Sequence, residues 1–208
     1  MTQSPPRQLP LQIRLDDSAT FENYHVAPAT RELAEYLQPV TELQQFSFLW
    51  GACGTGKTHL LQALCHAAEA EGLSAFYISL QQHQDYSPLL FEQLETFDIV
   101  CLDDVEAIAA HADWEVGLFS LFNRMRDSNA RLVVTSVVGP RELPIALPDL
   151  LSRLQSGVVF QVPTLDDADK IKALQLRAHR RGFEVADEVA SYVLQRNARS
   201  LHSLFDLL

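Results

Sequence analysis

The chain has 208 residues, 47% of them hydrophobic, and a formal net charge of −11. That much apolar material suits one packed domain with a small appendage and excludes general disorder. The acidic balance repels phosphate and argues against a duplex-reading surface, which needs a basic stripe to replace counterions.

The three cysteines, Cys53, Cys65 and Cys101, are odd in number and lack ligand-like spacing. Neither a disulfide framework nor a zinc site is expected, and reduced thiols fit the cytoplasm. The first ten residues, MTQSPPRQLP, have no basic-then-apolar leader pattern. No run approaches the ~20 apolar residues of a membrane helix. The expectation is a soluble cytoplasmic protein.

In chain order, RQLPLQIRL (7–15) comes first, with Leu9, Leu11, Ile13 and Leu15 at every second position. Such a stretch docks extended on a partner, with alternate side chains in pockets, or forms an edge strand of the chain's own sheet. Pro10 has no N–H, which both settings tolerate. FSFLW (46–50), SAFYISL (74–80), IVCLDDV (99–105), RLVVTSV (131–137) and VVFQV (158–162) are short apolar runs that predict five strands, the first of them buried. Between the first two, Leu60, Leu61, Leu64, Ala67 and Ala68 repeat at helical spacing over 57–70. SPLLFEQLE (87–95) predicts a helix with Ser87 as N-cap and Pro88 at its first position. Residues 113–126 place Trp114, Leu118, Leu121, Phe122 and Met125 on one helical face. Strands alternating with helices predict an α/β fold with a parallel five-stranded sheet flanked by helices. After Pro163 three helices, 166–181, 186–196 and 200–208, follow with no strand between them. Lys170, Lys172, Arg177, Arg180 and Arg181 on the first of these read as a solvated face.

GACGTGKT (51–58) matches the phosphate-loop pattern G-x-x-x-x-G-K-[ST] in full, between a predicted strand and a predicted helix. Gly51, Ala52, Cys53, Gly54, Thr55 and Gly56 would wrap a phosphate with backbone N–H groups at a helix N-terminus, with His59 just inside the helix. Lys57 would reach the β- and γ-phosphates, and Thr58 would place its hydroxyl on Mg²⁺. Asp103 ends an apolar strand, where phosphate-loop proteins keep a metal-holding carboxylate. Asp104 stands where many such ATPases place Glu to orient the attacking water. It is one methylene shorter, so weak intrinsic hydrolysis is expected. Thr135 and Ser136 end the fourth strand and either donate to a γ-phosphate or cap the strand.

Phosphate loop, Asp-terminated strand, polar fourth-strand end and helical appendage together resemble the AAA+ ATPase family, which implies that residues 164–208 are a lid domain. ATFENYHVAPATRELAEYL (19–37) resembles the linker before the nucleotide domain of the bacterial replication initiator DnaA. That resemblance makes Phe21, Tyr24 and Val26 candidates for wrapping adenine, against ordinary core packing. LPDLLSRLQSG (147–157) resembles the initiator segment that holds an arginine finger, which lands on Arg153; an exposed pair with Asp149 is the competing reading. NARSL (197–201) resembles the lid segment whose second sensor arginine lands on Arg199. No counterpart of the initiator's partner-binding or helix-turn-helix domain is expected. A compact AAA+ module behind a short leading peptide is similar to the DnaA-related regulators that switch the initiator off. In that family a Gln-Leu-x-Leu-x-aliphatic peptide docks on the DNA polymerase III sliding clamp, and Gln8, Leu9, Leu11 and Ile13 match it.

The resemblance therefore implies a clamp-binding peptide (1–18), an AAA+ nucleotide-binding domain (19–163) and a lid (164–208). It implies ADP or ATP with Mg²⁺ as cofactors and the initiator and the clamp as partners, without sequence-specific DNA binding. Arg153 would then stimulate hydrolysis on the initiator in trans. The alternative expectation is a self-sufficient AAA+ ATPase, such as a helicase loader, working through its own Asp103 and Asp104.

Overall fold

The computed structural model describes residues 15–197. Strands β1 (Phe46–Trp50), β2 (Ala75–Ser79), β3 (Ile99–Asp103), β4 (Arg131–Ser136) and β5 (Val158–Gln161) form one parallel sheet in the order β2-β3-β4-β1-β5. All five predicted strands are present. The described helices are α1 (Arg31–Leu37), α2 (Lys57–Ala70), α3 (Ala112–Ser128), α4 (Pro148–Ser156), α5 (Asp167–Arg180) and α6 (Asp187–Asn197).

The inner strands β1, β3 and β4 read as continuous apolar runs because both sheet faces are covered there, whereas the edge strands β2 and β5 are only partly covered. All five residues of β3 are buried. The two-residue period divides them between two cores. Ile99 and Cys101 join Leu33 and Leu37 of α1 and Leu60, Leu61 and Leu64 of α2. Val100 and Leu102 join Trp114, Leu118 and Phe122 of α3 and Leu150 and Leu154 of α4. Each such side chain contributes roughly 1.5–3 kcal/mol of burial.

Residues 87–95 differ from the predicted single helix. Ser87 does cap a turn, its Oγ accepting from Leu89 N at 3.3 Å, but the helix stops after Pro88–Phe91. Glu92 is extended, Gln93 is left-handed (φ 67°), and a second short turn spans Leu94–Thr96. The reason is tertiary. Arg124 Nη2 of α3 donates to Phe91 O at 2.6 Å, the carbonyl that a continuing α-helix would use, and Arg124 Nε holds Glu95 at 2.9 Å. The break lets Phe91 and Leu94 both bury against α3.

α5 and α6 form a separate small unit. They bury Ala173, Leu174, Ala190 and Leu194 together with Leu165, Ile171, Val185 and Val193, sharing no residue with the two cores of the sheet. The third predicted helix, 200–208, lies outside the described residues. Arg177 corrects the solvated-face reading of α5: its side chain is 17% exposed and its Nη2 lies 3.8 Å from Asp16 Oδ2. No described helix is long and apolar enough to cross a membrane.

The α4–β5 turn depends on Gly157. A Cβ there would stand 2.5 Å from Phe46 O, a backbone atom of the inner strand β1 that cannot step aside. Gly157→Ala is expected to lower stability by about 1–3 kcal/mol, as overpacking does, with the loss read from urea unfolding midpoints.

Candidate functional site

Because every strand is parallel, the C-terminal ends of β1 to β4 share one edge, the usual place for ligands in open α/β sheets. Ser136 is in register with Trp50, and Asp103 with Ser79. The glycine-rich loop 51–56 leaves β1 along this edge and turns into α2. Its first residue is tightly enclosed: Gly51 N donates to Ser136 O at 3.1 Å, and a Cβ on Gly51 would stand 2.2 Å from Val162 O. Gly54 (φ 79°) and Gly56 (φ 93°) adopt left-handed conformations that glycine takes without penalty. Between them Thr55 Oγ1 donates to Ala52 O at 3.0 Å. Cys53 is exposed at the tip of the loop.

Lys57 opens α2 and is only 6% exposed. Its ammonium donates to Gly51 O (2.7 Å) and Ala52 O (3.1 Å). Among the described residues no carboxylate bridges it. A buried cation hydrogen-bonded to two backbone carbonyls, beside a helix N-terminus, is an electrostatic setting that favours an anion.

Next to it stands the buried carboxylate of Asp103, 1% exposed. Thr58 Oγ1 donates to its Oδ2 at 2.6 Å, and the Tyr77 hydroxyl donates to the same oxygen at 3.1 Å. Thr135 Oγ1 donates to Oδ1 and accepts from Asp104 N at 3.0 Å. Burial, and then the charge of Asp103, push the Tyr77 phenol well above its usual range, so it remains a donor. Asp104 is in the left-handed region (φ 60°) and accepts from Ser79 Oγ at 3.2 Å. Burial, then Asp103 and Glu106, raise its carboxyl to about 6. Ser136 is fully buried, and its Oγ accepts from Val138 N at 3.3 Å. Thr58 and Asp103 form an oxygen-donor pair, the chemistry that suits Mg²⁺.

The linker lies across the loop and α2. His59 Nε2 donates to Thr20 O at 2.8 Å, and burial holds its pKa below the usual histidine value. The Tyr24 ring sits 5.7 Å from that of His59, and Tyr24 Cε2 would lie 3.3 Å from a Cβ on Gly56. Phe21 and Tyr24 pack against the α1/α2 core, while Val26 is 37% exposed. Arg153 is half-buried on α4, between the core residues Leu150 and Leu154. Among the described residues it makes no ion pair, with Asp149 or any other carboxylate. Gln8, Leu9, Leu11, Ile13 and Arg199 lie outside the described residues.

Two contributors escaped the sequence reading. Tyr77 and Ser79 stand two residues apart on β2, and strand register sets them beside Cys101 and Asp103. The one signal available was two polar groups at alternate positions near the end of an apolar strand.

The comparisons with known proteins agree with this geometry. The family described as the bacterial DnaA ATPase domain matches residues 15–161, and the Hda lid domain matches residues 167–208. An uncharacterized protein of Haemophilus influenzae is 39% identical over 204 residues, covering 97% of this chain and 88% of the relative. Domain III of the Thermotoga maritima replication initiation protein DnaA superposes with a TM-score of 0.79 at 25% identity, covering 93% of this chain and 87% of that one. AMPPCP-bound DnaA from Aquifex aeolicus gives 0.77 at 24% identity over 93% of this chain and 64% of the other, a likeness of fold. The fold is that of an AAA+ ATPase domain with a helical lid. This chain belongs to the DnaA-type ATPase family and carries a lid of the Hda type.

Thr135 supports both acidic residues at once. Thr135→Val would leave a buried Asp103 oxygen and the Asp104 N–H without this partner. The variant is expected to lose about 1–3 kcal/mol of stability in thermal or urea unfolding, and Tyr77→Phe less, because Thr58 still serves Oδ2.

Proposed function

We propose that this chain binds an adenine nucleotide with Mg²⁺ and regulates replication initiation by stimulating ATP hydrolysis on DnaA. The observation that carries this reading is a DnaA-type site with a buried, carbonyl-held Lys57 in a chain that also carries a lid of the Hda type. In it the N–H groups of loop 51–56 and the Lys57 ammonium hold the phosphates, and Thr58 and Asp103 hold the metal. The metal, when bound, neutralises charge on the phosphates. Asp104 is the candidate base for the chain's own weak hydrolysis. Its side chain is short and turned to Ser79, which favours a nucleotide-bound regulator over a motor.

Arg153 acts on the partner's nucleotide. An arginine supplied in trans stabilises charge on the transferring phosphoryl group and is worth about 10³–10⁵ in rate. Its lack of a carboxylate partner among the described residues supports a guanidinium reserved for another subunit. The leading peptide tethers the protein to the sliding clamp through Gln8, Leu9, Leu11 and Ile13. Three aliphatic side chains contribute roughly 5–9 kcal/mol gross, from which the ordering of the peptide subtracts several, leaving an affinity of about micromolar or weaker. A clamp with more than one pocket adds avidity.

The test is phosphate release from ATP-loaded DnaA with clamp on primed DNA. Wild type is expected to accelerate release. Arg153→Ala should abolish the acceleration, by about 10³-fold if the finger supplies the whole effect, while retaining nucleotide binding. Leu9→Ala/Leu11→Ala should remove the clamp dependence alone. Full stimulation by Arg153→Ala would sink the finger assignment. Robust intrinsic turnover that rises with protein concentration would favour the self-sufficient ATPase instead.

A further inference from the structure

The linker is fastened on two sides. Toward α2, Asp16 N donates to Gln62 Oε1 at 2.9 Å, His66 Nε2 donates to Asp16 O at 3.1 Å, and His59 holds Thr20 O. Toward α5 of the lid, His25 Nε2 meets Asp169 Oδ1 at 3.0 Å, with side chains 18% and 14% exposed. Arg177 Nη2 reaches Ser18 Oγ at 3.4 Å as well as Asp16, and Arg180 Nη2 reaches Glu22 O at 3.4 Å. Asp169 is itself braced, its N–H donating to the N-cap Asp166 at 2.8 Å and its carboxylate facing Lys172 Nζ at 3.3 Å. Phe21 and Tyr24 lie between these fasteners, with Tyr24 over Gly56 and His59.

The chemistry of the two sides differs. The α2 side has an apolar core beneath it, to which Leu15, Phe21 and Tyr24 belong. The lid's apolar cluster contains only residues from 165 onward. Among the described residues, linker and lid meet through hydrogen bonds and ion pairs. Polar joints between units part more readily than apolar ones and are the default place for relative motion.

We propose that His25, Asp169 and Arg177 form a clasp that closes the linker over the loop, and that opening it sets the rate of nucleotide release. They are positioning residues that act through Tyr24 and the linker backbone. The inference rests on the nucleotide-binding reading of loop 51–58. The clasp acts through contacts of the described lid helix α5 with the linker.

The experiment is dissociation of N-methylanthraniloyl-ADP from the full chain, chased with unlabelled ADP, in wild type, Asp169→Asn, Arg177→Gln, His25→Ala and His25→Gln. Asp169→Asn, Arg177→Gln and His25→Ala should release about five-fold faster or more, with association rates within about two-fold of wild type. His25→Gln keeps a donor and should restore slow release, which a merely structural role would not require. A His25→Ala/Asp169→Asn double variant should release no faster than the worse single, because the pair acts as a unit. Release at the wild-type rate in these variants, or strictly additive effects in the double variant, would overturn the clasp. Failure of wild type to bind the labelled ADP at all would instead overturn the nucleotide reading, and the clasp with it. Binding that is lost in Lys57→Ala separates the two cases.

Discussion

The Asp103 carboxylate is the constraint on which the rest of the site depends. It is buried at the end of a wholly buried strand, and an ionised group there survives only if its oxygens are served. Three hydroxyls from three elements serve it: Thr58 from α2, Tyr77 from β2 and Thr135 from β4. Satisfying this one group fixes the loop helix against the sheet and sets the register at which β2, β3 and β4 end. Thr135 then passes the constraint on to Asp104 through its backbone N–H.

Charge is arranged in opposition along the same edge. Lys57 is buried with carbonyl partners, Asp103 is buried among hydroxyls, and Asp104 is half-buried against the Ser79 hydroxyl. The raised carboxyl of Asp104 reflects burial first and then its acidic neighbours. Two carboxylates side by side repel, so the site holds unbalanced charge of both signs that an anionic phosphate and a divalent cation would neutralise together. The protein's net charge of −11 is compatible with such a site because the local cradle is positive at the loop and the helix N-terminus.

The lid stands apart energetically. Its small apolar cluster is self-contained, and its described ties to the linker are polar. A unit joined this way can change its angle without opening either core of the sheet. Arg177 illustrates how the sequence can mislead here. In a row of cations on one helix it reads as a solvated charge, yet tertiary contact places it against Asp16 and Ser18, far away along the chain.

The five strands, the helices α2, α3, α5 and α6, and the loop 51–58 are legible in the residues, because those features follow from local periodicity and from a pattern whose glycines meet a backbone requirement. Asp103 was legible for the same reason, as a charged stop to an apolar run. The tertiary structure alone decided the roles of Tyr77 and Ser79, the break at Gln93 and the His25–Asp169 contact. Each depends on a partner far away in the chain: Arg124 capturing Phe91 O, the parallel register of β2 with β3, and the seating of α5 on the linker. Periodicity reports which way a side chain points along its own element. It carries no information about which distant group stands opposite, and in this protein those opposing groups complete the site.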